Sequence, residues 1–134
     1  MFILLESSMP GNHKISSHIP KGLTEWEIFT LALIDVESEY QDSIVNKKTG
    51  ARGVLQIMPI YVKECNRLQN QKVYSFEDAY NPVKSVEMLN IINPEKDIEL
   101  TIKRHNPRAG KWYRKRILDK MDKIKKLEEK RRIL

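Results

Sequence analysis

Residues Thr24 to Tyr40 read TEWEIFTLALIDVESEY, and this stretch decides the fold. Thr24 stands three residues before Glu27, the spacing of a capping box in which each side chain takes the other's backbone amide. Leu23 is placed as the staple residue against Ile28. The spacing then predicts a helix from Trp26 to Tyr40. Phe29, Leu33, Val36 and Tyr40 share one face, and Ile28, Leu31 and Ile34 widen the apolar surface. A helix apolar on most sides is a central, buried one. One carboxylate, Glu37, sits late in it between Val36 and Ser38, with Leu33, Ile34 and Tyr40 at helical spacing. Desolvation opposes ionisation, so a glutamate in such company can keep a proton to donate. Asp35 and Glu39 flank it but point to other faces. Periodicity alone favours a surface glutamate at a helix end.

The rest of the chain reads as further short helices. Ile60 to Leu68 is helical, Ser75-Phe76-Glu77-Asp78 resembles a helix start, and Asn81-Pro82 opens a helix reaching Ile92. Another is expected from about Glu95 to Arg104. A basic one follows from about Ala109 to Leu134, with Ile117, Met121, Ile124 and Leu127 as its apolar stripe. A helical stretch is also expected around Val54 to Met58. The only strand signals are Ile44-Val45 and Val54-Leu55, enough for one very short β-hairpin. The expectation is a mainly α single domain: an arm over residues 1–22, a domain over 23–118 and a basic helical extension over 119–134.

With 134 residues the chain is about one domain long, too short for a two-domain enzyme with a large dinucleotide-binding core. Five glycines, six prolines and one cysteine exclude collagen-like and disulfide-scaffold classes. Cys65, with no nearby histidine, reads as a small core residue rather than a nucleophile. His13 and His18 lie in the arm without a carboxylate or thiol between them, so no metal is expected. Phe2-Ile3-Leu4-Leu5 is too short for the apolar core of a signal peptide and no basic residue precedes it. The net charge of +6 favours anionic partners: nucleic acid, anionic lipid or acidic wall polymer.

The segment after the central helix changes the weight on Glu37. It reads Gly50-Ala51-Arg52-Gly53-Val54-Leu55-Gln56-Ile57-Met58-Pro59. Glycines bracket an Ala-Arg pair, and one glutamine interrupts an apolar run, where it must find a partner or line a cavity. The glycine spacing and terminal Lys-Ser/Thr of a phosphate-binding loop are absent. The Glu-Ser helix end, followed by this Gly-Ala-x-Gly-x-x-Gln-x-x-Pro pattern, resembles the soluble lytic transglycosylases and their goose-type lysozyme relatives. Asn81-Pro82 with Leu89, and His105-Asn106 ahead of Ala109-Gly110, extend the resemblance over roughly residues 24–118. His105 stands where the family has a tyrosine that helps to position the glutamate.

The resemblance implies a lysozyme-like fold, no cofactor, and cleavage of peptidoglycan glycan strands between N-acetylmuramic acid and N-acetylglucosamine. It makes Glu37 the catalytic acid and base, with an internal muramyl hydroxyl as nucleophile and a 1,6-anhydro product. It suggests Ser38, Tyr40, Gln56, Met58, His105 and Asn106 as substrate contacts, with His105 orienting Glu37. For Arg52 it leaves two readings, a stem-peptide carboxylate or solvent alone. Hydrolysis of the same bond, as by a muramidase, and wall or nucleic-acid binding without catalysis stay open as alternatives. A monomer is expected, with no specific nucleic acid, whose basic last helix rests on anionic wall polymer or membrane. A chain made in the cytoplasm without a signal peptide yet acting on the wall fits a phage lysis or virion-associated enzyme.

Overall fold

The computed structural model describes residues 22–133, with the side chains of the last two outside the description. Most of the expected arm, with His13 and His18, therefore lies outside the described residues. Among the described residues five α-helices follow one another: α1 Glu25–Ser38, α2 Pro59–Gln69, α3 Pro82–Ile92, α4 Ile98–His105 and α5 Lys111–Ile133, with a 3-10 turn Phe76–Tyr80 before α3. Among the described residues there is no strand. The expected hairpin is reduced to two isolated bridges, Val45 with Arg52 and Arg52 with Ile57. No helix among the described residues is long and apolar enough to cross a membrane.

α1 forms because its start is fixed on both sides. The Thr24 hydroxyl accepts from the Glu27 amide and the Glu27 carboxylate accepts from the Thr24 amide. Its middle is sequestered: Phe29, Leu31, Ala32, Leu33 and Ile34 have no exposed surface. It ends two residues earlier than the periodicity suggests, because Glu39 and Tyr40 both take left-handed backbone, φ 52° and 65°. The Glu39 amide closes back on the Asp35 carbonyl. Glu37 therefore occupies the last turn of α1, where the chain turns away.

α5 packs along α1. Lys125 pairs with Glu25, Lys120 with Asp35, and Tyr113 reaches Glu37. The order runs oppositely in the two helices, so they are antiparallel. The stripe Ile117, Met121 and Ile124 is buried against the core, and Glu128 is buried beyond it, accepting the Leu23 amide at 3.2 Å. The expected boundary at 118/119 falls inside this single continuous helix.

α2 and α3 pack together beside the 3-10 turn. Asn81 caps α3 by accepting from the Lys84 amide at 3.1 Å, with Pro82 at the first helical position. α4 begins at Ile98 rather than Glu95. Lys96 is left-handed at φ 53°, and Asp97 is the true cap, accepting from the Leu100 amide at 3.0 Å. Cys65 is fully buried with its Sγ 3.6 Å from the Met88 carbonyl. Burial, then the neighbouring Glu64 charge, pushes its thiol up to about 12, which keeps it un-ionised and unreactive.

Candidate active site

Three segments distant in sequence converge on Glu37. The first is α1 itself, which presents the carboxyl at its C-terminal turn with the side chain 12% exposed. The second is the Gly50–Met58 segment. It is not the short helix expected but a tight turn held by the two bridges. Gly53 has φ +77°, and a Cβ there would fall 1.9 Å from the Ala79 carbonyl oxygen, so only glycine fits. Gln56 also takes left-handed backbone, φ 52°. Its side-chain Nε2 holds the bend by donating to the Gly53 carbonyl at 3.0 Å and the Ile44 carbonyl at 3.4 Å. The amide that interrupts the apolar run is thus satisfied by its own turn, while Val54, Leu55 and Ile57 go to the core. Non-glycine residues in such conformations cost of order 1–3 kcal/mol and cluster at functional sites.

The third segment is α4 with the start of α5. His105, at the end of α4, is almost wholly enclosed, its side chain 4% exposed. Its Nε2 lies 2.6 Å from the Leu55 carbonyl oxygen. A carbonyl only accepts, so Nε2 carries the hydrogen. The ring therefore fastens α4 to the Gly53–Gln56 turn. The same Nε2 is 3.9 Å from Glu37 Oε2, beyond hydrogen-bond reach. Tyr61 meets the His105 ring edge-to-face at 5.6 Å.

The hydrogen bond to the glutamate expected of position 105 is made by Tyr113 instead. Tyr113, on the first turn of α5 and buried, donates its hydroxyl to Glu37 Oε2. Burial and the adjacent Glu37 charge raise its phenol well above the ordinary value, so the hydroxyl stays a donor. With Oε2 held by Tyr113, Oε1 makes no hydrogen bond among the described residues and is the oxygen free to carry a transferable proton. Sequence reasoning missed Tyr113, although a signal was there. It lies four residues before Ile117, so extending the apolar stripe backwards places a polar-tipped aromatic at its head.

The other expected contacts divide. Asn106 caps α4, its amide bonding the Ile102 carbonyl at 3.3 Å, and it lines a cavity of about 190 Å³ that Tyr113 also walls. Met58, half-buried, caps α2 directly after the turn. Ser38 is buried and its hydroxyl donates to the Ile34 carbonyl at 3.0 Å, within its own helix. Tyr40 is buried too, its hydroxyl donating to the Leu31 carbonyl at 2.9 Å, so its ring is packed into the core. Arg52 is engaged elsewhere: it pairs with Glu77 at 3.0 Å and lies 3.9 Å over the Phe76 ring. A larger cavity of about 560 Å³ lies between α2, α3 and α4 and is lined by none of these residues except through Tyr61, the neighbour of His105.

The two carboxylates that flank Glu37 in sequence are turned elsewhere. Asp35 is turned to Lys120 at 3.3 Å, and Glu39 is exposed at the helix cap. No group of three or more His, Cys, Asp or Glu side chains is placed to hold a metal ion among the described residues. The site is thus a half-buried carboxyl on a helix end, oriented by a phenol and walled by a strained turn. Such an arrangement can deliver a proton and take one back at a fixed position.

Residues 21–103 match the family model of the transglycosylase SLT domain. This chain belongs to that family. The match covers α1, the Gly53–Gln56 turn, α2, α3 and most of α4, and stops before His105 and α5. Searches of curated proteins and of solved structures returned no match. In general terms the activity of this SLT domain is that of a lytic transglycosylase.

Proposed function

We propose that this SLT domain cleaves the β-1,4 bond between N-acetylmuramic acid and N-acetylglucosamine in peptidoglycan, with Glu37 as the one acid and base. What carries the reading is the carboxyl held through Oε2 by Tyr113, with its sequence neighbour Asp35 turned away to Lys120. Glu37 Oε1 gives its proton to the glycosidic oxygen as the bond to the muramyl anomeric carbon breaks. The muramyl C6 hydroxyl attacks that carbon, and its proton passes to the Glu37 carboxylate. A 1,6-anhydromuramyl end forms and the acid is regenerated, with no water consumed. An internal nucleophile already held near its target makes a second protein carboxylate unnecessary, unlike the two-carboxylate hydrolases. Tyr113 donates to Oε2 in both protonation states of Glu37, so the carboxyl need not rotate between the two halves of the reaction.

Gln56 and Asn106 are the amides offered to the sugar acetamido groups. Gln56 uses its Nε2 on the turn, which leaves its Oε1 as the acceptor toward substrate. His105 serves the site by holding the turn to α4. Met58 flanks the same turn as an apolar wall. The basic face of α5 is assigned to attraction toward anionic wall polymer. Glu37→Gln is the test: the fold should persist by circular dichroism while turbidity clearing of purified walls falls to background. Near-wild-type clearing with an intact fold removes Glu37 from the chemistry.

A further inference from the structure

The cavity of about 190 Å³ between α4 and α5 shares a wall with the catalytic arrangement, because Tyr113 belongs to both. Its rim is cationic. Lys103, Lys111 and Arg114 face a single carboxylate, Glu99. Arg114 grips Glu99 through two contacts of 2.8 Å, which cancels that acid and ties α4 to α5. Lys111 has no ion pair among the described residues, and Lys103 acts on Glu99, which Arg114 already pairs. The remaining wall includes Ile102 and Pro107, so the cavity offers an apolar floor beside the unpaired ammonium of Lys111 and that of Lys103, which shares Glu99 with Arg114. Arg52, the one cation of the Gly50–Pro59 segment, is committed to Glu77 and unavailable for such a role.

We propose that this cavity is a subsite for a carboxylate carried by the peptide substituent of the glycan, bound by Lys111 and Lys103. The inference rests on the glycan-cleaving function above and narrows its substrate to strands that still bear acidic stems. A bound strand that passes Glu37 and Asn106 brings its muramyl substituents to the flank where Tyr113 and Asn106 meet the cavity. An exposed charge pair contributes up to about fivefold in binding, so two lysines give up to about 25-fold.

The experiment measures kcat/KM on soluble glycan oligomers that carry their peptides and on the same oligomers after enzymatic removal of the peptides. The wild-type protein should prefer the stem-bearing substrate. The preference should fall about tenfold in Lys103→Gln/Lys111→Gln and shrink with added salt in the wild type. It should stand unchanged in Lys72→Gln, an exposed lysine after α2 that lines no part of this cavity. A wild-type ratio near one, or an unmoved ratio in the folded double variant, overturns the subsite. If neither oligomer is cleaved, the glycosidase function has failed instead. The subsite is then read by calorimetric titration with a stem-bearing muropeptide, where equal affinity in wild type and double variant rejects it and weaker affinity in the variant supports it.

Discussion

Tyr113→Phe removes one oxygen from the centre of the site and little else. The ring stays in place, because Tyr113 is only 3% exposed and its ring also packs edge-to-face on Trp112 at 6.1 Å. What is lost is a hydrogen bond to a carboxylate, and such bonds contribute about 1.5–3 kcal/mol. If that bond fixes the rotamer from which Glu37 delivers its proton, the whole amount appears in the barrier, about 10–100-fold in kcat. Stability should fall by about 1–2 kcal/mol, since Oε2 is left in a partly enclosed place without its donor. The assay is turnover of a soluble glycan oligomer, with thermal melting as control. KM should move little, because the phenol contacts the catalytic group and not the sugar. A folded Tyr113→Phe protein with kcat within about twofold of wild type would refute the positioning role and, with it, the account of why one carboxyl suffices.

Two further outcomes follow. Gly53→Ala places a methyl group 1.9 Å from the Ala79 carbonyl at a positive φ, so it should destabilise by more than the roughly 1–2 kcal/mol of the backbone strain alone; thermal melting checks it, and a wild-type melting temperature would show that the turn is not as tight as described. Lys123 and Lys130 carry no ion pair among the described residues, so reversing both to glutamate should weaken sedimentation with whole walls, most at low salt, while cleavage of a short soluble glycan is kept; equal losses on both substrates would tie these charges to catalysis.

The sequence made α1 legible to its cap because capping and burial point the same way there: Thr24 and Glu27 fix the start, and an all-round apolar surface demands a central position. The Asn81-Pro82 start of α3 and the stripe of α5 were legible for similarly local reasons. The Val54–Met58 run was not, because a short apolar run bounded by glycine is compatible with a helix, a strand or a buried turn. Here the left-handed Gly53 and Gln56, a tertiary consequence of the Ala79 carbonyl packing on Gly53, decide for the turn. Glu37 and Gln56 stood out in the sequence, since each is a polar group where the pattern wants none. Tyr113 was not. Its partner lies 76 positions away, and only the antiparallel packing of α5 on α1 brings the two together. His105 was placed near Glu37 correctly, but its hydrogen bond goes to the Leu55 carbonyl, a backbone group that no side-chain pattern announces.

The central claim is that a single carboxyl, working with the substrate's own hydroxyl, breaks the bond without water. Mass analysis of the soluble products from purified peptidoglycan, digested in water enriched in heavy oxygen, tests it most directly. The account predicts muropeptides ending in 1,6-anhydromuramic acid, lighter by one water than reducing ends and free of heavy oxygen. Products ending in reducing muramic acid that carries heavy oxygen would contradict it and make the domain a hydrolase.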